Sequence, residues 1–160
     1  MIIRPAQHQD LDSLVEMGAR MHAEGAYAFL PYDREKVRRL ILSLLDDPAT
    51  QCALVAEESG VAIGMFGGYL SDYFFCDEKV ACDLVLFVDP AYRSSSAAAR
   101  LIRAFRRWAI EHAARELCLG TSNNVRAEEV GRFYERLGLI GVGGIYKQRL
   151  RQPSPQEAQC

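Results

Sequence analysis

The residues best placed to do chemistry run from Asp83 to Ala98. Leu84–Val88 is a short apolar run rich in β-formers. Asp89-Pro90 ends it, because proline cannot donate to a sheet ladder. Arg93-Ser94-Ser95-Ser96-Ala97-Ala98 then opens a long amphipathic helix. The first amides of a helix have no intrahelical partner, and the helix dipole adds partial positive charge there. Side chains as small as serine and alanine let an anion approach those amides, and the hydroxyls add donors. That describes a phosphate cradle. The same residues also suit a plain N-cap followed by an alanine-rich helix start.

Two further side chains could act beside such a cradle. Asp83 stands on the strand that feeds the turn, where its position alone suits one half of a strand-end salt bridge. Period-two geometry puts Asp83, Val85 and Phe87 on one face unless a bulge intervenes. Asp72 and Glu57 are weaker base candidates with no pattern behind them. Tyr134 lies on a later helix. Its phenol, with a reference pKa of about 10, is protonated at neutral pH and able to donate; alternatively it packs its ring in the core. Ser94-Ser95-Ser96 lacks the Gly-x-Ser-x-Gly elbow of a hydrolase.

The elements that must position these groups read in order as follows. Ile2–Ala6 is a first strand closed by proline. A helix with Leu11, Leu14, Val15, Gly18 and Met21 on one side starts at Asp10 or Asp12 and fades near Glu24-Gly25. Ala26–Tyr32 is aromatic and aperiodic, suiting either a substrate wall or a seal between two helices. Asp33 caps a helix with Val37, Leu40, Ile41, Leu44 and Leu45 in its stripe, stopped at Asp46-Asp47-Pro48. Cys52–Glu57, Val61–Tyr69 and Val80–Val88 make an antiparallel meander. Gly64, Gly67 and Gly68 within it predict a bulge or a close backbone approach. The central helix carries Ala97, Ala98, Leu101, Ile102, Phe105, Trp108 and Ala109 on one face. Leu117–Thr121 fits a parallel strand after the crossover. Asn123-Asn124 then caps a helix with Ala127, Val130, Phe133, Tyr134 and Leu137 on one side and a stop at Gly138. Ile140–Leu150 is expected as a last β-region, and 151–160 as a disordered tail.

Composition narrows the class. A chain of 160 residues is most simply one domain, expected here as 1–150. A net charge of −2 gives no global basic balance, so a nucleic-acid partner is not indicated. No apolar run is long enough to span a membrane, and Arg4-Pro5 interrupts any leader pattern. Five scattered cysteines and three histidines show neither metal-ligand spacing nor a disulfide framework, which leads us to expect reduced thiols, no metal and a cytoplasmic protein.

Arg93-Ser94-Ser95-Ser96-Ala97-Ala98 resembles the central motif of the GNAT superfamily of N-acetyltransferases, Arg/Gln-x-x-Gly-x-Gly/Ala opening a helix after a strand. Ser96 takes the place of the usual first glycine. Asn124-Val125-Arg126-Ala127, followed by Phe133-Tyr134-Glu135-Arg136-Leu137-Gly138-Leu139, resembles the family's second motif, with Leu139 in place of phenylalanine. The element order matches over nearly the whole chain. The resemblance implies an α+β fold, a mixed and mostly antiparallel sheet flanked by helices on both faces and splayed at a cofactor cleft. It implies transfer of acetyl from acetyl-CoA to a primary amine by direct attack. The pyrophosphate would sit on the loop amides of Arg93, Ser94, Ser95, Ser96, Ala97 and Ala98, with further cofactor contacts at Leu86, Phe87, Val88 and Asn124. Tyr134 would donate to the sulfur, Asp83 would act as the base through water, and the Val88 amide would hold the acetyl carbonyl. The alternative is a GNAT-like domain that binds coenzyme A or a protein partner without turnover. The acceptor's identity and a homodimer stay open.

Overall fold

The computed structural model describes residues 1–121 and 125–148. The apolar runs form five strands: β1 Ile2–Pro5, β2 Gln51–Glu58, β3 Val61–Asp72, β4 Lys79–Val88 and β5 Ala114–Cys118. They lie in sequence order in one sheet, antiparallel throughout except for the parallel β4–β5 pair. Four helices accompany them: α1 Leu11–Glu24, α2 Arg34–Asp46, α3 Ala97–Glu111 and α4 Ala127–Arg136. Single 3-10 turns precede α1 and follow β4. The fold is α+β with a mixed, mostly antiparallel sheet.

Helices cover both faces of the sheet. On one face Leu101, Ile102 and Phe105 of α3 are sealed from solvent, and the Phe105 ring lies 4.4 Å from that of Phe66. Tyr134 of α4 joins this cluster. On the other face Leu14, Val15 and Met17 of α1 and Ile41 of α2 pack on Val55, Met65 and Phe87. Asp33 caps α2 by accepting from the Lys36 amide at 3.0 Å. Tyr32 seals α1 against α2, with its hydroxyl donating to the Val15 carbonyl at 2.9 Å. A Cβ at Gly18 would come within 2.4 Å of that hydroxyl oxygen, so the helix must be bare at this point.

The glycines of β3 serve both purposes expected of them. A Cβ on Gly68 would meet the Phe105 ring at 2.6 Å, so its absence sets how closely α3 approaches the sheet. A β-bulge falls at the same place: Gly67 pairs with Val85 but Gly68 pairs with Asp83, leaving Leu84 as the extra residue on β4. The bulge reverses the facing of the strand. Val85 and Phe87 join the α1–α2 core, while Asp83 shares the facing of Ala81, which lies in the α3 core. Asp83, Val85 and Phe87 therefore do not share one face.

Three sequence expectations shift. The parallel strand is Ala114–Cys118 rather than Leu117–Thr121. The chain leaves α3 at Glu111 and turns at Ala113, in the left-handed region with φ 57°, directly into β5. The helix expected to start at Asn123-Asn124 begins at Ala127, behind Arg126 with φ 50°. The β-region expected at 140–150 is absent over its described part, 140–148. Gly141, Gly143 and Gly144 weaken it as a strand, and Ile140, Val142 and Tyr146 are more than four-fifths exposed, so little packing offsets the cost of ordering it. Residues 149–150 and the tail expected at 151–160 lie outside the described residues.

Candidate functional site

The bulge and the parallel pair together create the site. β5 keeps register with β4 only from Lys79 to Cys82. From Asp83 onward the two strands part, leaving one edge of β4 without a neighbouring strand among the described residues. Ladder geometry fixes what that edge presents. The Asp89 amide donates to the Ile63 carbonyl at 2.9 Å, which makes Gly64 and Val88 a non-hydrogen-bonded pair. The N–H and C=O of Val88 therefore point away from β3, into the gap. Alternation gives Leu86, opposite Phe66, the same orientation, and turns Phe87 toward β3.

Gly120, just past β5, joins the two candidate catalytic side chains. Its amide donates to Asp83 Oδ1 at 2.9 Å, and its carbonyl accepts from the Tyr134 hydroxyl at 3.4 Å. The second contact is long for O–H···O, so the phenol is only loosely engaged. Burial pushes the Asp83 carboxyl above its ordinary value, with the Gly120 N–H pulling the other way. Burial also raises Tyr134, and the nearby Asp83 charge raises it further. Tyr134 thus stays protonated across the physiological range, and Asp83 is a stronger base than a solvated aspartate.

The helix start behaves in part as a cradle. The Ser95 hydroxyl accepts from the Ala97 amide at 3.2 Å, and the Ser95 amide donates to the Tyr92 carbonyl at 3.0 Å. Ser96 occupies the N-cap position without a side-chain cap bond, and its carbonyl takes the Arg100 amide at 3.0 Å. Among the described residues the amides of Ala98 and Ala99 have no acceptor, as expected of a helix N-terminus. Ala97 points its side chain into the core, and its amide is taken by the Ser95 hydroxyl.

Arg93 is occupied. Its Nε donates to the Val88 carbonyl at 3.1 Å, and its Nη2 donates to Glu24 Oε2 at 2.5 Å. Its guanidinium also lies 5.6 Å from the centre of the Phe87 ring, and that of Arg20 lies 5.9 Å from it. Arg93 therefore ties the strand exit to α1.

These groups border a cleft of about 510 Å³. Leu86, Phe87 and Val88 form its β4 wall, and Arg93, Ser95 and Ala98 its helix wall, with Asp83 and Tyr134 between. Ser94, Ser96 and Ala97 lie beside the cleft without lining it. Asn124 falls outside the described residues. Of the aromatic loop, Tyr27 lines the cleft while Tyr32 seals the helix pair, so each role suggested for that loop belongs to a different residue. Sequence patterns did not single out Gly120 or Glu24. The only signal for Gly120 was a glycine following an apolar run, and Glu24 carried none.

Among the described residues no cluster of three or more His, Cys, Asp or Glu side chains could hold a metal ion, and no helix is long and apolar enough to cross a membrane.

The sheet is splayed between its two parallel strands, with the α3 N-terminus at the opening. The chain belongs to the acetyltransferase (GNAT) family, whose family model matches residues 18–139. Among solved structures it is similar to the aminoglycoside N-acetyltransferase AAC(6')-Iy in complex with CoA. The TM-score is 0.75 at 19% identity, with 94% of this chain and 95% of that chain covered. It is also similar to the aminoglycoside antibiotic 6'-N-acetyltransferase AAC(6')-IG from Acinetobacter haemolyticus, with TM-score 0.72, 20% identity and 96% and 100% covered. A transcriptional regulator from Bacillus halodurans gives a TM-score of 0.74 at 19% identity, with 93% and 99% covered. A search of curated proteins returns no match.

Proposed function

We propose that the protein transfers the acetyl group of acetyl-CoA to a primary amine by direct attack within this cleft. The observation that carries the proposal is the convergence on Gly120: a half-buried carboxylate and a protonated phenol, both lining the cleft beside the stretch of β4 that no described strand pairs. The residues present fit acetyl-CoA. The outward N–H and C=O of Leu86 suit the amides of an extended pantetheine arm, as a sheet edge accepts an added strand, while the Val88 carbonyl is taken by Arg93 and its N–H is left for the acetyl group. The amides of Ala98 and Ala99 and the hydroxyl of Ser95 suit the pyrophosphate.

Acetyl-CoA supplies the acetyl group as a thioester activated toward nucleophiles. The chain's own groups do the rest. Asp83, with its raised carboxyl, takes a proton from the incoming ammonium through a water, since its carboxylate is short and engaged by Gly120. The Val88 N–H donates to the acetyl carbonyl oxygen as negative charge grows there. Tyr134 donates to the departing sulfur. Because burial makes its phenol a weaker acid, Tyr134 stabilises the thiolate by hydrogen bonding and keeps its own proton.

The test is turnover. Purified protein, acetyl-CoA and a panel of primary amines (aminoglycosides, polyamines, peptide N-termini and lysine peptides) are incubated, with free-thiol release and product mass as readouts. N-acetylated product from at least one amine is expected. Tight acetyl-CoA binding with no acetylated product from any member of the panel would favour the non-catalytic alternative.

A further inference from the structure

We infer that Cys82 and Cys118 form a reversible disulfide, a redox modification site that clasps the apex of the cleft. The two residues are direct partners in the parallel β4–β5 register, and they are the last pair before the strands part. Neighbouring strands lie roughly 4.8 Å apart, inside the window of about 4.4–6.8 Å between Cα atoms that a disulfide requires. Directly opposed residues on adjacent strands project to the same side of a sheet. Both are free thiols.

The pair is also reachable. Tyr69 on β3 is the register partner of Cys82, so Tyr69, Cys82 and Cys118 form a row across three strands. Their neighbours Ala81 and Leu117 point into the α3 core, which places the row on the opposite face of the sheet. There Cys118 is exposed, Cys82 half-buried and Tyr69 38% exposed. Cys52, by contrast, is buried within the core cluster.

The chemistry needs an oxidant, and a low-molecular-weight disulfide supplies it. The exposed Cys118, as thiolate, attacks one sulfur of that disulfide and expels one small thiol. Cys82 then loses its proton to solvent and attacks Cys118 Sγ, expelling the second small thiol. Two protein thiols are oxidised to one disulfide, and one small disulfide is reduced to two thiols. Burial and the neighbouring Cys118 and Asp83 raise the Cys82 thiol, which suits it to the second, intramolecular step rather than the first.

Position gives the bond a consequence. Cys82 adjoins Asp83, and Cys118 lies two residues before Gly120, whose amide and carbonyl hold Asp83 and Tyr134. A covalent link there joins β4 to β5 at the point from which the cleft opens. This inference does not depend on the reaction proposed above.

The experiment equilibrates the reduced full-length protein with oxidised glutathione, blocks remaining thiols with N-ethylmaleimide, and maps peptides by mass spectrometry. A Cys82–Cys118 linkage is expected, reversed by dithiothreitol, retained in Cys76→Ser and lost in Cys118→Ser. Backbone hydrogen exchange over residues 114–121 should slow in the oxidised protein. Glutathione held on Cys118 while Cys82 is recovered as a blocked thiol, or linkage of either residue to another cysteine, would overturn the inference. Unchanged exchange in the linked protein would overturn the clasp.

Discussion

Replacing Tyr134 by phenylalanine removes one oxygen and separates packing from chemistry. The ring is 8% exposed and stays in the α3 cluster, so its burial is conserved. The lost contact is the 3.4 Å bond to the Gly120 carbonyl. Ordinary hydrogen bonds contribute about 0.5–1.5 kcal/mol, and one this long belongs at or below the bottom of that range. Gly120 is exposed, so water can take over its carbonyl. At roughly 2–4 °C per kcal/mol for a chain of this size, Tm should fall by no more than about 2 °C. If the hydroxyl serves the departing sulfur as a hydrogen-bond donor, the rate should fall by about 10²–10³, or roughly 3–4 kcal/mol of barrier. The catalytic effect is thus several times the structural one. The assay pairs steady-state acetylation of the best amine with a thermal melt and acetyl-CoA calorimetry. Wild-type kcat in Tyr134→Phe, with chemistry shown to be rate-limiting, would refute the reasoning. So would a drop in Tm of many degrees with kcat unchanged, which would make Tyr134 a packing residue.

Three further outcomes follow from the same structure. Because burial raises the Asp83 carboxyl, the native state holds that proton to higher pH than the unfolded chain; the group's stabilising contribution is complete below the unfolded value of about 3.9 and is lost as pH rises through the folded one. Asp83→Asn should therefore raise Tm at neutral pH while lowering kcat, with the rate deficit shrinking at high pH where the amine is already neutral; a lower Tm together with unchanged kcat across pH would contradict this. Gly68→Ala drives a methyl into Phe105, an overpacking that costs about 1–3 kcal/mol, so the melt should fall by roughly 2–12 °C, and an unchanged Tm would show that α3 is not set by this contact. Ser96→Glu places negative charge at the α3 N-terminus and should weaken acetyl-CoA binding by at least about tenfold, roughly 1.4 kcal/mol; calorimetry returning wild-type affinity would remove the anion from that helix start.

The parts of this site that were legible in the sequence are those carried by side-chain type and periodicity. The α3 stripe, the close backbone approach marked by the β3 glycines and the strand ending at Asp89-Pro90 all follow from local chemistry. Asp83 and Tyr134 could be singled out, but their meeting could not, because it runs through the backbone of Gly120 and a backbone amide leaves no mark on composition. The glycines of β3 mark a bulge or a close approach, but that the extra residue is Leu84 on β4 is a register property shared by two strands, which no single run of residues encodes. The bulge reverses the facing expected of Asp83 relative to Val85 and Phe87. Leu117–Thr121 is more apolar than Ala114–Cys118, which draws the expected strand toward the later residues, and the short exit from α3 through Ala113 outweighs that preference. The occupation of Arg93 by Glu24, 69 positions away, is a tertiary event with no local signature. The failure of 140–148 to form a strand has the same character, since pairing depends on a neighbour as much as on propensity.

The most direct test of the central claim is a rapid-quench single turnover with acetyl-CoA radiolabelled in its acetyl group and the best amine from the panel. Direct attack predicts that label passes to the amine at the rate coenzyme A is released, and that no label is retained on the protein when the amine is withheld. Label held covalently on the chain and later discharged to the amine, or coenzyme A released without acetylated amine, would contradict it.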